Sequence, residues 1–598
     1  MTALNTIKNR RVSFCLFQFK GITFCLTFIS LTFILISTLF LSSVYSTTSP
    51  KPGVSIPEHV KLFLKDVQKI YTEGDLVLLM RGYYREKLKK SMGLEPVEGF
   101  KDTLYFKFPV LVGKFSDSGD DQWPLSSLQT ELFDGPWSTG TMREYYREVS
   151  YEQFDISGTV YGWYQAPQTE AYYENNANGL PGQGGRTPEF IRALIEAADD
   201  TVDFSVYDND GNGKVETIFI VHYGLGGEYG TDDIWSHRSR LSYYPDQGGA
   251  FQTNDGVIID DYIIQPALSS DRSSMIEIGV FCHEFGHALG LPDLYDMDGS
   301  SSGIGHWGLM ASGNWNEPVS PAHMSAWSRE QLGWVSPSQL QYNVLNMNVP
   351  AVEDTPVVYK LWKEGSVEPY SSRYGLGLNV GREYFLVENR QPFGFDKYLH
   401  GGGILIWHID NSVVTQNDNE DHPLVDLEAA DGKMTGRGDG GDPFPGDMDN
   451  RNFDLFTEPS SMTYEERNSQ VAVLNISDSD TIMFADLEVF EPSAILFVDN
   501  LTVIDIMGNN NGTPEAGEVV DLIVDVENWG KSFTETVAIL STGDPDISIE
   551  KSNALFGDIV FEGMGNNLND PFTFSVSDTS ELHWGYFTIQ FIGNSQQD

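Results

Sequence analysis

Fourteen consecutive residues constrain this chain more than any others: Val280-Phe281-Cys282-His283-Glu284-Phe285-Gly286-His287-Ala288-Leu289-Gly290-Leu291-Pro292-Asp293. His283 and His287 stand four positions apart, which on an α-helix puts both imidazoles on one face, one turn from each other. Two neutral imidazoles held this way can grip a single Zn²⁺. Glu284, next to the first of them, can reach a water in an open metal position and act as its general base.

The flanking residues predict where this helix begins and ends. Ser274-Met275-Ile276-Glu277 has the spacing of a capping box, so a start is expected there. Ile276, Val280 and Phe281 follow at helical spacing and give the segment an apolar side. Gly290 and Pro292 end it. A glycine three residues past His287 turns the chain back toward the metal, and Asp293 is the first strong ligand type after that turn. The whole reads H-E-x-x-H-x-x-G-x-x-D. It resembles the metzincin form of zinc protease with aspartate in place of the third histidine. Asp293 can alternatively cap the turn Asp293-Leu294-Tyr295-Asp296, with a third ligand from elsewhere.

The chain has 598 residues, room for several domains, and a formal net charge of −49. No Lys/Arg cluster appears beyond about Thr103, which argues against nucleic acid as a partner. Such acidity suits a salty exterior and carboxylate-rich Ca²⁺ sites. The amino terminus reads as an export signal over residues 1–46. Lys8, Arg10 and Arg11 precede an uncharged run from Ile22 to Leu41, and Val44 and Ser46 are small enough for cleavage after Ser46. The run is long enough to serve instead as a membrane anchor. Cys15 and Cys25 fall in this segment. Cys282 is the sole cysteine left afterward, so the remainder makes no internal disulfide; it reads as a small buried apolar residue.

Residues 47–103 carry two helical patterns, one around Val60 to Ile70 and a basic one over Leu76 to Met92. A basic segment ahead of a very acidic remainder suggests a prosegment that covers the acidic cleft; a helical first layer of the next domain is the alternative. Residues 104–340 alternate strand and helix. Leu104–Val112 reads as a strand broken by a proline, 140–150 as a helix, Phe154–Tyr164 as a strand, Thr187–Ala198 as a helix and Thr217–Tyr223 as a buried strand. Between the last two, oxygen side chains at Asp208, Asp210 and Asn212 with intervening glycines make a candidate Ca²⁺ loop, or a loop of Asx turns without metal. Past the central helix, Met310 is the candidate for a methionine packed as a floor beneath the metal. His306 and His323 are further histidines near the site in sequence, His323 in an ordinary helix.

Several stretches together now resemble a known family: YYREVS from Tyr145, DFSVYDNDG from Asp203, IWSH from Ile234, the HEFGHALGLPDLYD block and WGLM from Trp307. They look like the immune inhibitor A-like (M6) peptidases, secreted bacterial metalloproteases, over roughly Leu104 to Pro459. The resemblance implies a secreted zinc endopeptidase with an α+β, zincin/metzincin-like catalytic domain, made with a prosegment and often calcium-stabilised. It carries His283 and His287 over as zinc ligands, Glu284 as the catalytic residue and Asp293 as the position completing the site.

Residues 341–490 turn to β, with strands expected at Glu383–Arg390 and Gly403–Asp410 and an acidic loop in which Asp439, Asp442, Asp447 and Asp449 could hold Ca²⁺. Residues 491–598 show short strands at about ten-residue spacing, which suggests a β-sandwich accessory domain. The function expected is hydrolysis of peptide bonds in extracellular proteins, with one Zn²⁺, structural Ca²⁺, protein or peptide substrates and no stable membrane association once the signal is cut. The competing readings are an extracellular adhesin that retains a protease scaffold and a zinc hydrolase of non-peptide substrates.

Overall fold

The structure is a computed structural model that describes residues 11–15, 46–65, 74–91, 101–138, 140–316, 320–362, 383–413, 416–490, 495–509, 511–561, 563–580 and 583–595. The apolar run from Ile22 to Leu41 lies outside the described residues. Among those described, no helix is long and apolar enough to cross a membrane.

The chain divides into two compact units, one of them comprising residues 40–464 and 471–489. Its centre is a six-stranded sheet. Four strands are parallel, in the order Phe154–Gln165, Leu104–Lys114, Ile218–His222 and Asp261–Pro266. His237–Arg240 then runs antiparallel along Asp261–Pro266, and the two-residue strand Ser46–Thr47 pairs antiparallel with it at the edge. Pro109 does not break its strand, which runs continuously from Leu104 to Lys114.

Alternation along these strands separates two cores. Phe106, Phe108, Val110, Val112, Phe219, Val221 and Ile263 face the layer that holds helix Ile278–Ala288. Leu111, Ile218, Ile220, Tyr262 and Ile264 face helix Thr187–Ala198 on the other side. A strand buried on both faces shows the near-continuous apolar run seen at Ile218–His222.

Helix Ile278–Ala288 is buried along its whole length. Phe285 anchors it to the sheet, with ring centroids 5.3 Å from Phe108, 5.5 Å from Phe219 and 5.9 Å from Phe106. The expected capping box is not formed. Glu277 is the N-cap and makes no side-chain cap bond. Ser274 donates its hydroxyl to Asp271, closing a local turn before the helix begins.

Two expectations about domain organisation meet a different packing. Helices Glu58–Lys65 and Asp75–Ser91 share the core of the central helix, with Val60, Leu76, Val77 and Met80 buried in it. Among the described residues, the strands between Ser338 and Glu488 form a five-stranded and a three-stranded sheet. Leu386, Leu405, Trp407 and Ile409 join that same core. The boundary expected near 340 therefore marks a change of secondary structure, not a break in packing.

The other unit comprises residues 1–39, 465–470 and 490–598. Its antiparallel strands form a four-stranded and a five-stranded sheet. Val520, Leu522 and Phe574 from one sheet and Leu540, Phe556 and Ile589 from the other meet in one apolar cluster.

Candidate metal centre

The central helix presents His283 and His287 on one face, and Gly290, at φ +97°, turns the chain so that Asp293 returns to them. All four residues His283, Glu284, His287 and Asp293 are 0 % exposed. Nε2 of His283 lies 3.1 Å from Nε2 of His287 and 3.1 Å from Oδ1 of Asp293. The third side of this triangle, His287 Nε2 to Asp293 Oδ1, is 3.2 Å.

Each ring is oriented by its other nitrogen. His283 Nδ1 donates to the Leu309 carbonyl at 2.8 Å, and His287 Nδ1 donates to the Leu291 carbonyl at 2.9 Å. A carbonyl can only accept, so each Nδ1 carries the proton and each Nε2 of a neutral ring offers a lone pair. Three lone-pair bearers thus converge at 3.1–3.2 Å. Bond lengths of about 2.0–2.1 Å to tetrahedral Zn²⁺ imply ligand–ligand edges of about 3.3–3.4 Å. The donor set and its spacing fit that ion. Oδ2 of Asp293 and both oxygens of Glu284 are buried without a hydrogen-bond partner among the described residues.

Burial pushes the Glu284 carboxyl well above the usual carboxylate range; the Thr48 hydroxyl and amide oppose this, though they fall short of hydrogen-bond geometry, while the Asp293 charge reinforces it. Burial also works to raise Asp293, but the two imidazoles outweigh it and hold that carboxyl below its ordinary value. Burial lowers His287, keeping its imidazole neutral and suited to coordination.

The floor of the site explains a residue the motif leaves unspecified. A Cβ on Gly286 would meet the Met310 sulfur at 2.5 Å, so glycine lets the methionine pack directly against the helix. Met310 is 1 % exposed and its carbonyl accepts the Leu294 amide at 2.7 Å. Tyr146 donates its hydroxyl to the Cys282 carbonyl at 2.6 Å, and Tyr145 donates to Ala322 at 2.8 Å, so the YYREVS helix steadies both the central helix and the loop beyond it. Cys282 is buried, as expected.

A segment far away in sequence occupies the cleft. Ser46–Thr47 lies along edge strand His237–Arg240 in antiparallel register. The Thr47 carbonyl oxygen lies 3.3 Å from His283 Nε2 and accepts a hydrogen bond from the Tyr295 hydroxyl at 3.2 Å. Trp235 Nε1 donates to the Thr48 carbonyl at 3.0 Å, and Trp315 Nε1 donates to that of Ser49 at 3.1 Å. The Thr47 carbonyl therefore stands beside the triangle of His283, His287 and Asp293.

Downstream, Asp75 is 4 % exposed between Lys214 Nζ at 3.0 Å and Arg240 Nη2 at 3.3 Å. The contact between this helix and the cleft edge is thus an acid on cations, the reverse of the charge complementarity expected. Its lysines Lys89 and Lys90 pair with Glu86 and Asp102.

The remaining candidates are placed as follows. Asp208 and Asp210 come together with Glu216, their oxygens within 4.8 Å of one another, while Asn212 contributes its backbone amide to both aspartates at 3.0 Å. Glu216, fully buried and pushed up to about 7 by burial, is the member that spacing alone did not single out. In the acidic loop Asp442 groups with Asp439 and Asp431, in place of Asp447 and Asp449. Asp442 accepts the Trp307 indole N–H at 2.7 Å, bracing the loop that carries Leu309. His306 is bonded to Asn316. His323 precedes helix Ala326–Gln331 instead of lying within it, and pairs with Glu148 at 2.8 Å.

Comparison with known proteins meets this geometry. Residues 128–339 match the family described as immune inhibitor A peptidase M6, catalytic domain. Over 267 residues the chain is 31% identical to the pre-pro-metalloprotease PrtV of Vibrio cholerae serotype O1, covering 38% of this chain and 28% of that protein. Over 257 residues it is 28% identical to immune inhibitor A of Bacillus thuringiensis subsp. alesti, covering 35% of each. The matched region thus spans about a third or less of either relative.

Proposed function

We propose, from the match of residues 128–339 to the immune inhibitor A peptidase M6 catalytic domain and the likeness to two metalloprotease relatives, that the chain is a secreted, zinc-dependent endopeptidase acting on extracellular proteins. The observation that carries this reading is the convergence of His283, His287 and Asp293 at 3.1–3.2 Å, with the unpartnered Glu284 carboxylate alongside. These three side chains would hold the ion. When bound, Zn²⁺ acidifies a water and polarises a substrate carbonyl. Glu284 takes the proton of the attacking water and passes it to the departing nitrogen, the task of a general base that becomes a general acid. His283 and His287 keep their orientation through the Leu309 and Leu291 carbonyls. A substrate seated in the cleft excludes bulk water, which strengthens each of these interactions.

Residues 47–103 are a prosegment in this reading, and 1–46 a signal that sends the chain out of the cell. Its support is the path of Thr47, Thr48 and Ser49 past His283, Trp235 and Trp315, and the name pre-pro-metalloprotease borne by a relative. Asp75 fastens the prosegment to Lys214 and Arg240. Asparagine in its place gives up a charge-assisted hydrogen bond to Lys214 or Arg240, each worth about 1.5–3 kcal/mol. Asp75→Asn should speed the appearance of the processed form at least about tenfold, read by gel and intact-mass analysis of the secreted protein. An unchanged rate would show that Asp75 fastens nothing.

The function is tested on the processed protein. Casein hydrolysis should stop on treatment with 1,10-phenanthroline and return on adding one equivalent of Zn²⁺. Hydrolysis indifferent to the chelator, or none at all, contradicts the proposal. In the same preparation EGTA distinguishes a structural Ca²⁺ at Asp208, Asp210, Asn212 and Glu216: it should lower Tm without stopping hydrolysis at 25 °C, and an unmoved Tm removes the calcium proposal.

A further inference from the structure

We propose that Tyr295 is a catalytic residue, donating a hydrogen bond from its hydroxyl to the carbonyl oxygen of the scissile peptide bond as that oxygen gains negative charge. The proposal rests on the endopeptidase reading and assigns it a residue that neither the motif nor the ligand set includes.

Thr47 lies against the central helix. Its carbonyl oxygen stands 3.3 Å from His283 Nε2, on the side where the three ligand atoms converge. The next carbonyl along, that of Thr48, accepts the Trp235 indole N–H at 3.0 Å. The Thr47 backbone lies antiparallel to the edge strand, in a register of Ser46 with Arg238 and Thr47 with His237. An extended peptide added to a sheet edge is a general mode of peptide binding. The Thr47–Thr48 bond therefore marks the position of a bond to be cut, and groups that touch its carbonyl would touch a substrate's.

Tyr295 is one of those groups. Its hydroxyl is 3.2 Å from the Thr47 carbonyl oxygen and 3.2 Å from the Thr47 hydroxyl. The side chain is 4 % exposed, two residues past Asp293, and Asp296 beyond it is tied into the turn by Ser300 and Ser301. The ligand and the hydroxyl are thus positioned by one short stretch of backbone.

The distance bears on catalysis. An O–H···O bond is most favourable near about 2.7–2.8 Å. At 3.2 Å the contact to a neutral carbonyl is weak. As the water oxygen bonds to the carbonyl carbon, the π electron pair moves onto the carbonyl oxygen, and a bond to that anion is roughly twice as strong as one to a neutral acceptor. The hydroxyl keeps its proton throughout. When the C–N bond breaks, the electron pair returns to restore the carbonyl, and the nitrogen receives its proton through Glu284. The interaction is therefore stronger in the transition state than in the ground state, the condition for raising kcat.

The test uses the processed, zinc-loaded enzyme and Tyr295→Phe, which removes one hydroxyl and keeps the ring. Removing one oxyanion donor costs about 10²–10³ in kcat. The expected result is kcat lowered about 100-fold, KM within about threefold of wild type, and zinc content unchanged by elemental analysis. A phosphonate peptide, whose anionic oxygens imitate the charged transition state, should bind Tyr295→Phe about 100-fold more weakly by calorimetry, while the matching cleavage product binds both proteins alike. This second readout needs no turnover. Equal phosphonate affinities, a loss confined to KM, or loss of zinc from the variant would each overturn the role of Tyr295 even in a confirmed peptidase. A wild type that hydrolyses no peptide would overturn the endopeptidase reading, and this proposal with it.

Discussion

Glu284→Gln lowers kcat by about 10⁴ and leaves one zinc bound per chain. The carboxylate has two tasks in the proposed mechanism, accepting the water's proton and delivering it to the departing nitrogen, and each positioned proton transfer contributes about 10²–10⁴. Glutamine keeps the shape and can still donate a hydrogen bond, but it neither takes nor gives up a proton at working pH. The loss corresponds to about 5 kcal/mol of activation free energy. Zinc stays because the convergent atoms belong to His283, His287 and Asp293, none of which touches the substituted carboxyl through a hydrogen bond. Both oxygens of Glu284 are buried and unpartnered, so the neutral amide is no harder to bury than the acid it replaces. Steady-state kinetics on a fluorogenic peptide, with zinc measured on the same sample, reads both halves. Zinc retained with activity intact would remove Glu284 from the mechanism.

Asp293→Ala has the second largest effect, and its signature differs. Zinc sites in small domains bind with about 10–16 kcal/mol, so loss of one ligand in four removes about 3–4 kcal/mol, a weakening of about 10²–10³. Activity should fall in proportion to bound metal and recover when excess Zn²⁺ is supplied. Removal of Asp293 also takes away the charge that counters burial at His287, so that imidazole becomes harder still to protonate. Competition with a zinc chelator of known affinity measures the change. An unaltered zinc affinity would show that Asp293 caps its turn and that another group completes the site.

The parts of this site that were legible in the sequence are those fixed by short-range geometry. A spacing of four becomes one face of a helix wherever the residues are helical, and a glycine at positive φ after His287 turns the chain whatever surrounds it. The same holds for helix Thr187–Ala198, whose apolar period matches the face it buries. Ser274 had the right spacing for a cap but a nearer partner, Asp271, claimed its hydroxyl. Such competition between local hydrogen bonds leaves no mark on a motif.

What remained hidden depends on contacts between distant residues. Nothing near Thr47 indicates that its carbonyl will stand beside His283, 236 positions later. The basic character of 76–92 suggested attraction to an acidic cleft, yet the charge that this helix buries, among its described residues, is Asp75, because Lys214 and Arg240 are local exceptions to a net charge of −49. Tyr295 was visible as a residue in the LPDLYD block, but its hydroxyl gains meaning only from what lies opposite. The β strands beyond 340 announced their own secondary structure and not the core they share, since alternation records which face is apolar and not what that face meets.

The central claim is that His283, His287 and Asp293 hold one zinc ion beside Glu284. Anomalous scattering from crystals of the purified protein, recorded on both sides of the zinc absorption edge, tests it most directly. The account predicts a single strong peak within coordinating distance of His283 Nε2, His287 Nε2 and Asp293 Oδ1, at about 2.0–2.2 Å from each. No peak at that position, or one whose ligands exclude either histidine, would contradict it.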